Sequence, residues 1–178
     1  MPVDGEKVRC WDWPTGRMWS VSTTIAFANQ KGGVAKTTSV ASVGAALMEF
    51  GQRVLLVDMD PQGSLTFSLG IDPEDVDTSI AEVLMGTSPV TDAIVVTDEG
   101  LNLIPATIGL AAAEERLVSM TGREQRLRVS LAKVAEDYDW ILIDCPPALG
   151  VLTVGALSAA DEVIIPLQAE TLSHRGVG

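Results

Sequence analysis

Two lysines flank a pair of glycines in the segment ANQKGGVAKTTS, residues 28–39. Gly32 and Gly33 allow successive backbone N–H groups to turn toward one centre, and the N-terminus of a following helix adds a partial positive charge. Lys36 is spaced to reach the β- and γ-phosphates of a nucleotide, and the Thr37 hydroxyl to complete the coordination of a Mg²⁺ ion. The segment therefore predicts a loop that binds a polyphosphate.

The elements on either side of this loop support the prediction. TTIAFAN, residues 23–29, is a short apolar run typical of a strand that is buried on both faces. Apolar residues recur at helical spacing from Val40 to Met48, and Gly51 follows where a helix-ending glycine belongs. This context favours a phosphate loop over a glycine turn with solvated lysines. The expected nucleotide contacts are Lys31, Gly32, Gly33, Val34, Ala35, Lys36, Thr37 and Thr38.

Acidic residues end two further predicted strands. RVLLVDMD carries Asp58 and Asp60, and DWILIDCPP carries Asp144. Carboxyl ends of parallel strands meet at one edge of a sheet, where acids can hold a metal ion and position a water molecule. A single Asp at a strand end is equally well a helix cap or a turn residue. Three such acids together with the loop predict a site for a nucleotide and a metal ion.

The rest of the chain alternates predicted strands with predicted helices. This alternation predicts an α/β fold of the P-loop NTPase type, with a mostly parallel twisted sheet and helices on both faces. Residues 1–20 show neither a helical nor an alternating period, so we expect an irregular extension before a single domain over 21–178. The remaining expected elements are helices near 78–85 and 89–94, a strand at 101–106, two helices over 109–135 broken at Gly122, a helix over 151–160, a strand at 161–167 and a helix that begins near the final residues.

Charge and composition narrow the classes of function. The net charge is −12, and no Lys or Arg occurs between Arg53 and Arg116. Such a surface does not attract nucleic acid by bulk electrostatics, so any DNA contact would need a local basic patch. No apolar run approaches the roughly 20 residues of a membrane span, and no signal peptide is recognisable, so we expect a cytoplasmic protein without a membrane partner. Cys10 and Cys145 are too few for a disulfide framework.

Three segments together resemble one family. KGGVAKTT, residues 31–38, resembles the deviant Walker A motif K-G-G-x-x-K-[ST] of the ParA/MinD family of P-loop ATPases. DMDPQGS and IDCPPALG resemble the switch I and switch II segments of ParA proteins, whereas MinD proteins lack the Pro-Gln-Gly. The resemblance runs from about Thr24 to the final residue. It implies that Asp60 activates the attacking water and helps to hold Mg²⁺, that Asp144 is the Mg²⁺-linked acid, and that Gln62 and Gly63 belong to a nucleotide-sensing switch.

The resemblance also gives the second lysine a role. In the ParA/MinD family the lysine at the position of Lys31 crosses a dimer interface and contacts the partner's nucleotide. The resemblance implies a slow ATPase with Lys31, Lys36 and Asp60 as catalytic residues. It also implies an ATP-dependent homodimer, a ParB-type partner and a role in chromosome or plasmid partitioning. Most members carry Gly at the position of Ala35. An Ala there costs little unless the backbone needs a positive φ.

Alternatives to a complete ParA remain open at this stage. The chain resembles the N-terminal two-thirds of a ParA, so the family's adenine- and DNA-binding residues have no positions here, and nucleoid association depends on whether DNA binding is retained. One alternative is a truncated paralogue that binds nucleotide without hydrolysing it. Others are a MinD-like division-site ATPase and a P-loop synthase of cofactor biosynthesis. The sequence Pro61-Gln62-Gly63 argues against the synthase, and MinD proteins lack it.

Overall fold

A computed structural model of the chain describes residues 9–12, 17–20 and 22–168. Strand β1 (Arg9–Asp12) pairs antiparallel with β2 (Arg17–Ser20), with Arg9 opposite Ser20. The expectation of irregular structure was therefore wrong for these eight residues, because strands of four residues are too short to reveal an alternating period. The helix expected near the final residues lies outside the described part of the chain.

The main sheet of the described residues has six strands, which are β3 (Thr23–Phe27), β4 (Val54–Asp58), β5 (Val95–Val96), β6 (Asn102–Ile104), β7 (Trp140–Asp144) and β8 (Glu162–Ile164). Their order in the sheet is β5-β6-β4-β7-β3-β8. Neighbouring strands are parallel except for β5, which pairs antiparallel with β6. The predicted mostly parallel α/β architecture is therefore confirmed; β5 was not predicted because two residues carry no pattern.

Helices cover both faces of this sheet. They are α1 (Lys36–Glu49), α2 (Ser64–Ser68), α3 (Ile80–Met85), α4 (Gly109–Val118), α5 (Arg126–Leu131) and α6 (Val151–Ala159). Alternate residues of β4 belong to different apolar clusters: Leu55 packs on the side of α3 to α6, and Leu56 on the side of α1. Short 3₁₀ turns connect some of the helices, and Gly122, with a φ of 72°, precedes one of them. No helix in the described ranges is both long and apolar enough to cross a membrane.

One close approach explains the glycine in the middle of α1. A Cβ atom on Gly44 would lie 2.7 Å from Leu56 Cδ2. Glycine at this position therefore allows α1 to pack closely against Leu56 of β4.

The strand register brings the predicted site residues to one edge. Phe27 at the end of β3 is opposite Asp144 at the end of β7, and Asp144 is opposite Asp58 at the end of β4. The glycine loop after β3 and the acidic turns after β4 and β7 therefore leave the sheet side by side.

Candidate nucleotide-binding site

A cavity of about 420 Å³ opens where these loops meet. It is lined by seven residues that the sequence predicted for the site, together with Ser64 and Pro147 from the two switch segments. Val34 is buried in the protein, and Lys31, Gln62 and Asp144 are not among the residues that line this cavity. The seven predicted residues are Gly32, Gly33, Ala35, Lys36, Thr37, Thr38 and Asp60.

The glycine loop is held from both sides by amide side chains. The Asn29 side-chain oxygen accepts a hydrogen bond from the Lys31 N–H at 2.9 Å, while its Nδ2 donates to the Pro166 carbonyl at 2.9 Å. The Gln168 Nε2 donates to the Gly33 carbonyl at 2.7 Å. The sequence analysis missed Asn29 and Gln168, although an Asn at the end of an apolar run was a detectable signal.

Helix α1 begins directly after a residue in the left-handed conformation. Ala35 has φ 62° and ψ 30°, and it is the only non-glycine residue with positive φ in the described chain. Because residue 35 has a positive φ, an alanine at this position is less stable than the glycine that most family members carry. Lys36, the next residue, is buried, and its Nζ lies 3.5 Å from the Lys31 carbonyl oxygen. The ammonium group is thus folded back over the loop rather than extended into solvent.

Asp144 is a buried carboxylate with one oxygen to spare. Its Oδ2 accepts a 2.6 Å hydrogen bond from the Thr37 hydroxyl, and its Oδ1 is buried without a partner. Burial raises the pKa of Asp144 to about 7, and the neighbouring Asp58 and Asp60 charges add to the rise. A buried oxygen without a donor needs a compensating partner, which a cation or a metal-bound water would supply.

Asp60 lies at the cavity wall in a tight turn. Its Oδ1 accepts from the Gln62 N–H at 2.9 Å, and its own N–H donates to Asp58 Oδ1 at 3.0 Å. The side chain of Gln62 is exposed. Gln62 thus contributes to the turn through its backbone N–H, which bonds to Asp60.

Asp58 is completely buried and has a full set of donors. Its Oδ2 accepts from the Thr66 N–H at 2.9 Å and from the Thr66 hydroxyl at 2.8 Å, in addition to the bond with Asp60. Burial raises the pKa of Asp58 to about 6. The sequence analysis identified Asp58 as a strand-end acid, but nothing in the sequence linked it to Thr66.

The donor set at this edge fits Mg²⁺ bound together with a nucleotide. Mg²⁺ is usually held by one or two carboxylates, and water and phosphate oxygens complete its shell. Asp144 offers the unpaired oxygen, Thr37 a hydroxyl beside it and Asp60 a second carboxylate at the cavity. Among the described residues there is no cluster of three or more His, Cys, Asp or Glu side chains that could hold a metal ion.

Comparison with known proteins gives a consistent family. The AAA_31 family model, described as an AAA domain, matches residues 22–178. The chain is 50% identical over 154 residues to the sporulation initiation inhibitor protein Soj of Bacillus subtilis (strain 168), covering 86% of this chain and 61% of Soj. It is 47% identical over 156 residues to the chromosome partitioning protein ParA of Caulobacter vibrioides (strain NA1000 / CB15N), covering 86% of this chain and 58% of that protein.

A solved structure is also similar over most of the chain. It is a cobyrinic acid a,c-diamide synthase from Mycobacterium smegmatis with bound ATP analog and magnesium, at 60% identity and a TM-score of 0.86. The alignment covers 89% of this chain and 65% of that one. The chain therefore spans less than two thirds of each of these relatives. On the family match and these identities, the chain belongs to the AAA_31 domain family and, within it, to the ParA family of ATPases.

Proposed function

We propose that the chain binds Mg-ATP in the cavity at the carboxyl edge of the sheet and acts as a ParA-type ATPase in chromosome or plasmid partitioning. The observation that carries the nucleotide site is Asp144, whose one oxygen is bonded to Thr37 while the other is buried and unpaired. Asp144 and Thr37 would hold Mg²⁺ here, and the bound ion would supply charge neutralisation to the β- and γ-phosphates. Lys36 and the loop N–H groups orient the phosphates, and Asp60 orients the attacking water.

Hydrolysis at this site is expected to be slow. No Arg or Lys occurs between Arg53 and Arg116, a stretch that includes the whole first switch segment. Without an arginine to stabilise the transferring phosphoryl group in cis, turnover should stay far below the ~1–100 s⁻¹ of typical kinases. Slow turnover suits a protein that uses the nucleotide to hold one assembly state.

Lys31 supports the proposed dimer. Its N–H bonds to Asn29, its carbonyl lies against Lys36, and it is not among the residues that line its own cavity. The motif KGGVAKTT places Lys31 where lysines of the ParA/MinD family contact the partner's nucleotide, and we propose the same contact here. Each charge-assisted bond of this kind is worth about 1.5–3 kcal/mol, and two symmetric copies would strengthen the dimer by two or more decades.

The partners of this switch follow from the same family. We propose a cytoplasmic ParB-type partner protein that responds to the dimer, and association with the nucleoid if non-specific DNA binding is retained. The similarity to the Soj and ParA proteins supports this assignment.

Sedimentation tests the proposal with the chain and a non-hydrolysable ATP analogue. The parent should dimerise only with Mg²⁺ and the analogue, Lys31→Ala should bind nucleotide but not dimerise, and Lys36→Ala should lose nucleotide binding. Equal dimerisation by the parent and Lys31→Ala would exclude a role across the interface. Equal loss of nucleotide binding in both variants would do the same.

A second candidate is an ATP-dependent synthase that activates a carboxylate. It rests on the 60% identity to the Mycobacterium smegmatis cobyrinic acid a,c-diamide synthase. Release of ADP that increases with cobyrinic acid and an amide donor, and not with dimer formation, would favour this candidate. ADP release that ignores both compounds favours the partitioning ATPase.

A further inference from the structure

A buried threonine joins the first switch segment to the end of a distant strand. The hydroxyl of Thr66 donates to Asp58 Oδ2 at 2.8 Å and accepts from the Ala106 N–H at 3.0 Å. Thr66 is completely buried, so water does not compete for either bond. Ala106 follows β6 and lies 40 residues along the chain from Thr66.

The direction of each bond is fixed by the donors that are present. Asp58 receives N–H groups from Asp60 and Thr66 and the hydroxyl of Thr66. Because the Thr66 proton points to Asp58, its lone pairs are available to the Ala106 N–H. A chain of bonds thus runs from Ala106 through Thr66 and Asp58 to the backbone of Asp60.

The switch segment also passes close to Ala106 at Gly63. A Cβ atom on Gly63 would lie 3.1 Å from the Ala106 carbonyl oxygen, so only glycine fits there without displacement. Ala106 therefore lies beside Gly63 and bonds to Thr66 in α2. Pro105 in turn accepts a hydrogen bond from the Ile80 N–H at the start of α3, which ties this loop to the helical layer.

We propose that Thr66 is a positioning residue: through Asp58 it fixes the turn that presents Asp60 to the nucleotide. The inference rests on the proposed function, because it assigns Asp60 to hydrolysis. Thr66 is not among the residues that line the cavity, and its hydroxyl bonds to Asp58 and Ala106. Its loss should therefore lower the rate of the chemical step and leave nucleotide binding to Lys36 and Thr37.

The decisive variant is Thr66→Val, which keeps the shape of the side chain and removes the hydroxyl. We expect turnover to fall by about 10–100-fold, the range for partners that orient a reacting group, with the Kd for ATP close to that of the parent. Thr66→Ser should restore turnover because it returns the hydroxyl. Turnover of Thr66→Val equal to the parent, or no difference between Val and Ser, would overturn the proposal.

Hydrogen exchange gives a readout that does not need hydrolysis. In Thr66→Val the amides of Asp60, Gln62 and Thr66 should exchange faster, whereas those of α1 keep their protection. Acceleration of α1 to the same extent would mean general destabilisation and would overturn the positioning role. If the parent shows no turnover, the proposed hydrolysis fails, while the exchange pattern still decides the role of Thr66.

Two further variants complete the test. Ser68→Ala removes a hydroxyl of the same helix that bonds only within the helix, to the Leu65 carbonyl. It should behave as the parent, and a fall equal to that of Thr66→Val would overturn the proposal. If Thr66→Val does not fold, Asp58→Asn replaces it and should separate turnover from affinity in the same way; parent-like turnover in that variant would overturn the proposal.

Discussion

Two strand–turn–helix units of the sheet share one plan. In the phosphate-loop unit, β3 leads through Ala35 into α1, and in the switch unit, β4 leads through Gly63 into α2. Ala35 and Gly63 have nearly identical left-handed backbones, with φ/ψ of 62°/30° and 61°/30°. In each unit a threonine early in the helix donates to a strand-end aspartate: Thr37 to Asp144 and Thr66 to Asp58.

The two aspartates differ in what remains for a ligand. Asp58 accepts three hydrogen bonds, and its threonine is completely buried. Asp144 accepts one from Thr37 and keeps a buried oxygen without a partner, and Thr37 lines the cavity. Similar local chemistry therefore serves two purposes: a satisfied carboxylate holds the backbone, and an unsatisfied one can take a cation.

The largest expected effect separates these two carboxylates directly. Asp144→Asn should weaken Mg-dependent ATP binding by about 10–100-fold, because the variant removes the negative charge next to the proposed metal position. Asp58→Asn should leave that affinity nearly unchanged and lower the free energy of unfolding by about 1–3 kcal/mol, because an amide NH₂ would face N–H donors. Calorimetric titration with and without Mg²⁺, and urea unfolding, measure both. Loss of the same property in both variants would contradict the distinction.

The phosphate-loop unit was far easier to predict from sequence than the switch unit. Its lysines, glycines and Thr37 are contiguous, and the flanking strand and helix are long enough to show their periods. Helix α2 has five residues and shows no period. The bond between Thr66 and Ala106 spans 40 residues, so only the folded sheet brings its partners together. The sequence therefore predicted the strand-end acids but could not tell which carboxylate is satisfied.

A methyl group at Gly63 should cost the switch unit stability. Gly63→Ala places a side chain in the left-handed region, at about 1–2 kcal/mol, and brings its Cβ to 3.1 Å from the Ala106 carbonyl oxygen. We expect the free energy of unfolding to fall by about 2 kcal/mol or more. Gly51→Ala is the matched control, since Gly51 has φ 75° and open space around its Cβ position. Equal losses in both variants would show that the contact with Ala106 contributes nothing.

Acid should stabilise the nucleotide-free protein through the unsatisfied carboxylate. The pKa of Asp144 is raised from 3.8 to about 7, so the native state binds this proton more tightly than the unfolded state. The gain is complete below 3.8 and is lost as the pH rises through about 7. Between pH 8 and pH 6 the free energy of unfolding should rise by about 1.4 kcal/mol through Asp144, because the tendency of the native state to take up this proton grows about tenfold over this range.

Protonation of Asp144 should weaken the affinity for Mg-ATP. The proposed Mg-ATP site uses the charged form of Asp144, so its affinity should weaken by up to about tenfold for each pH unit below 7. Asp144→Asn provides the control: it should flatten the affinity profile and leave in the stability profile only the smaller rise due to Asp58, whose pKa is raised to about 6. A parent whose unfolding free energy falls from pH 8 to pH 6 would contradict the burial of an unpaired Asp144 oxygen.

The smallest expected effect tests whether the phosphate-loop unit tolerates the residue that the switch unit carries. Ala35→Gly relieves a left-handed alanine, which costs about 1–2 kcal/mol, and adds about 0.4–1 kcal/mol of backbone entropy to the unfolded chain. The net change should be a gain of about 0.5–1 kcal/mol in the free energy of unfolding, seen as a rise in Tm.

Ala46→Gly, on the exposed face of α1, is the matched control and should lose about 1 kcal/mol, because its backbone is helical. Since Ala35 contributes only a backbone N–H and a methyl group at the cavity wall, the affinity for Mg-ATP should stay within about twofold of the parent. Destabilisation of Ala35→Gly to the level of Ala46→Gly would mean that residue 35 is not held at positive φ in solution, and the parallel with Gly63 would then end at the helix start.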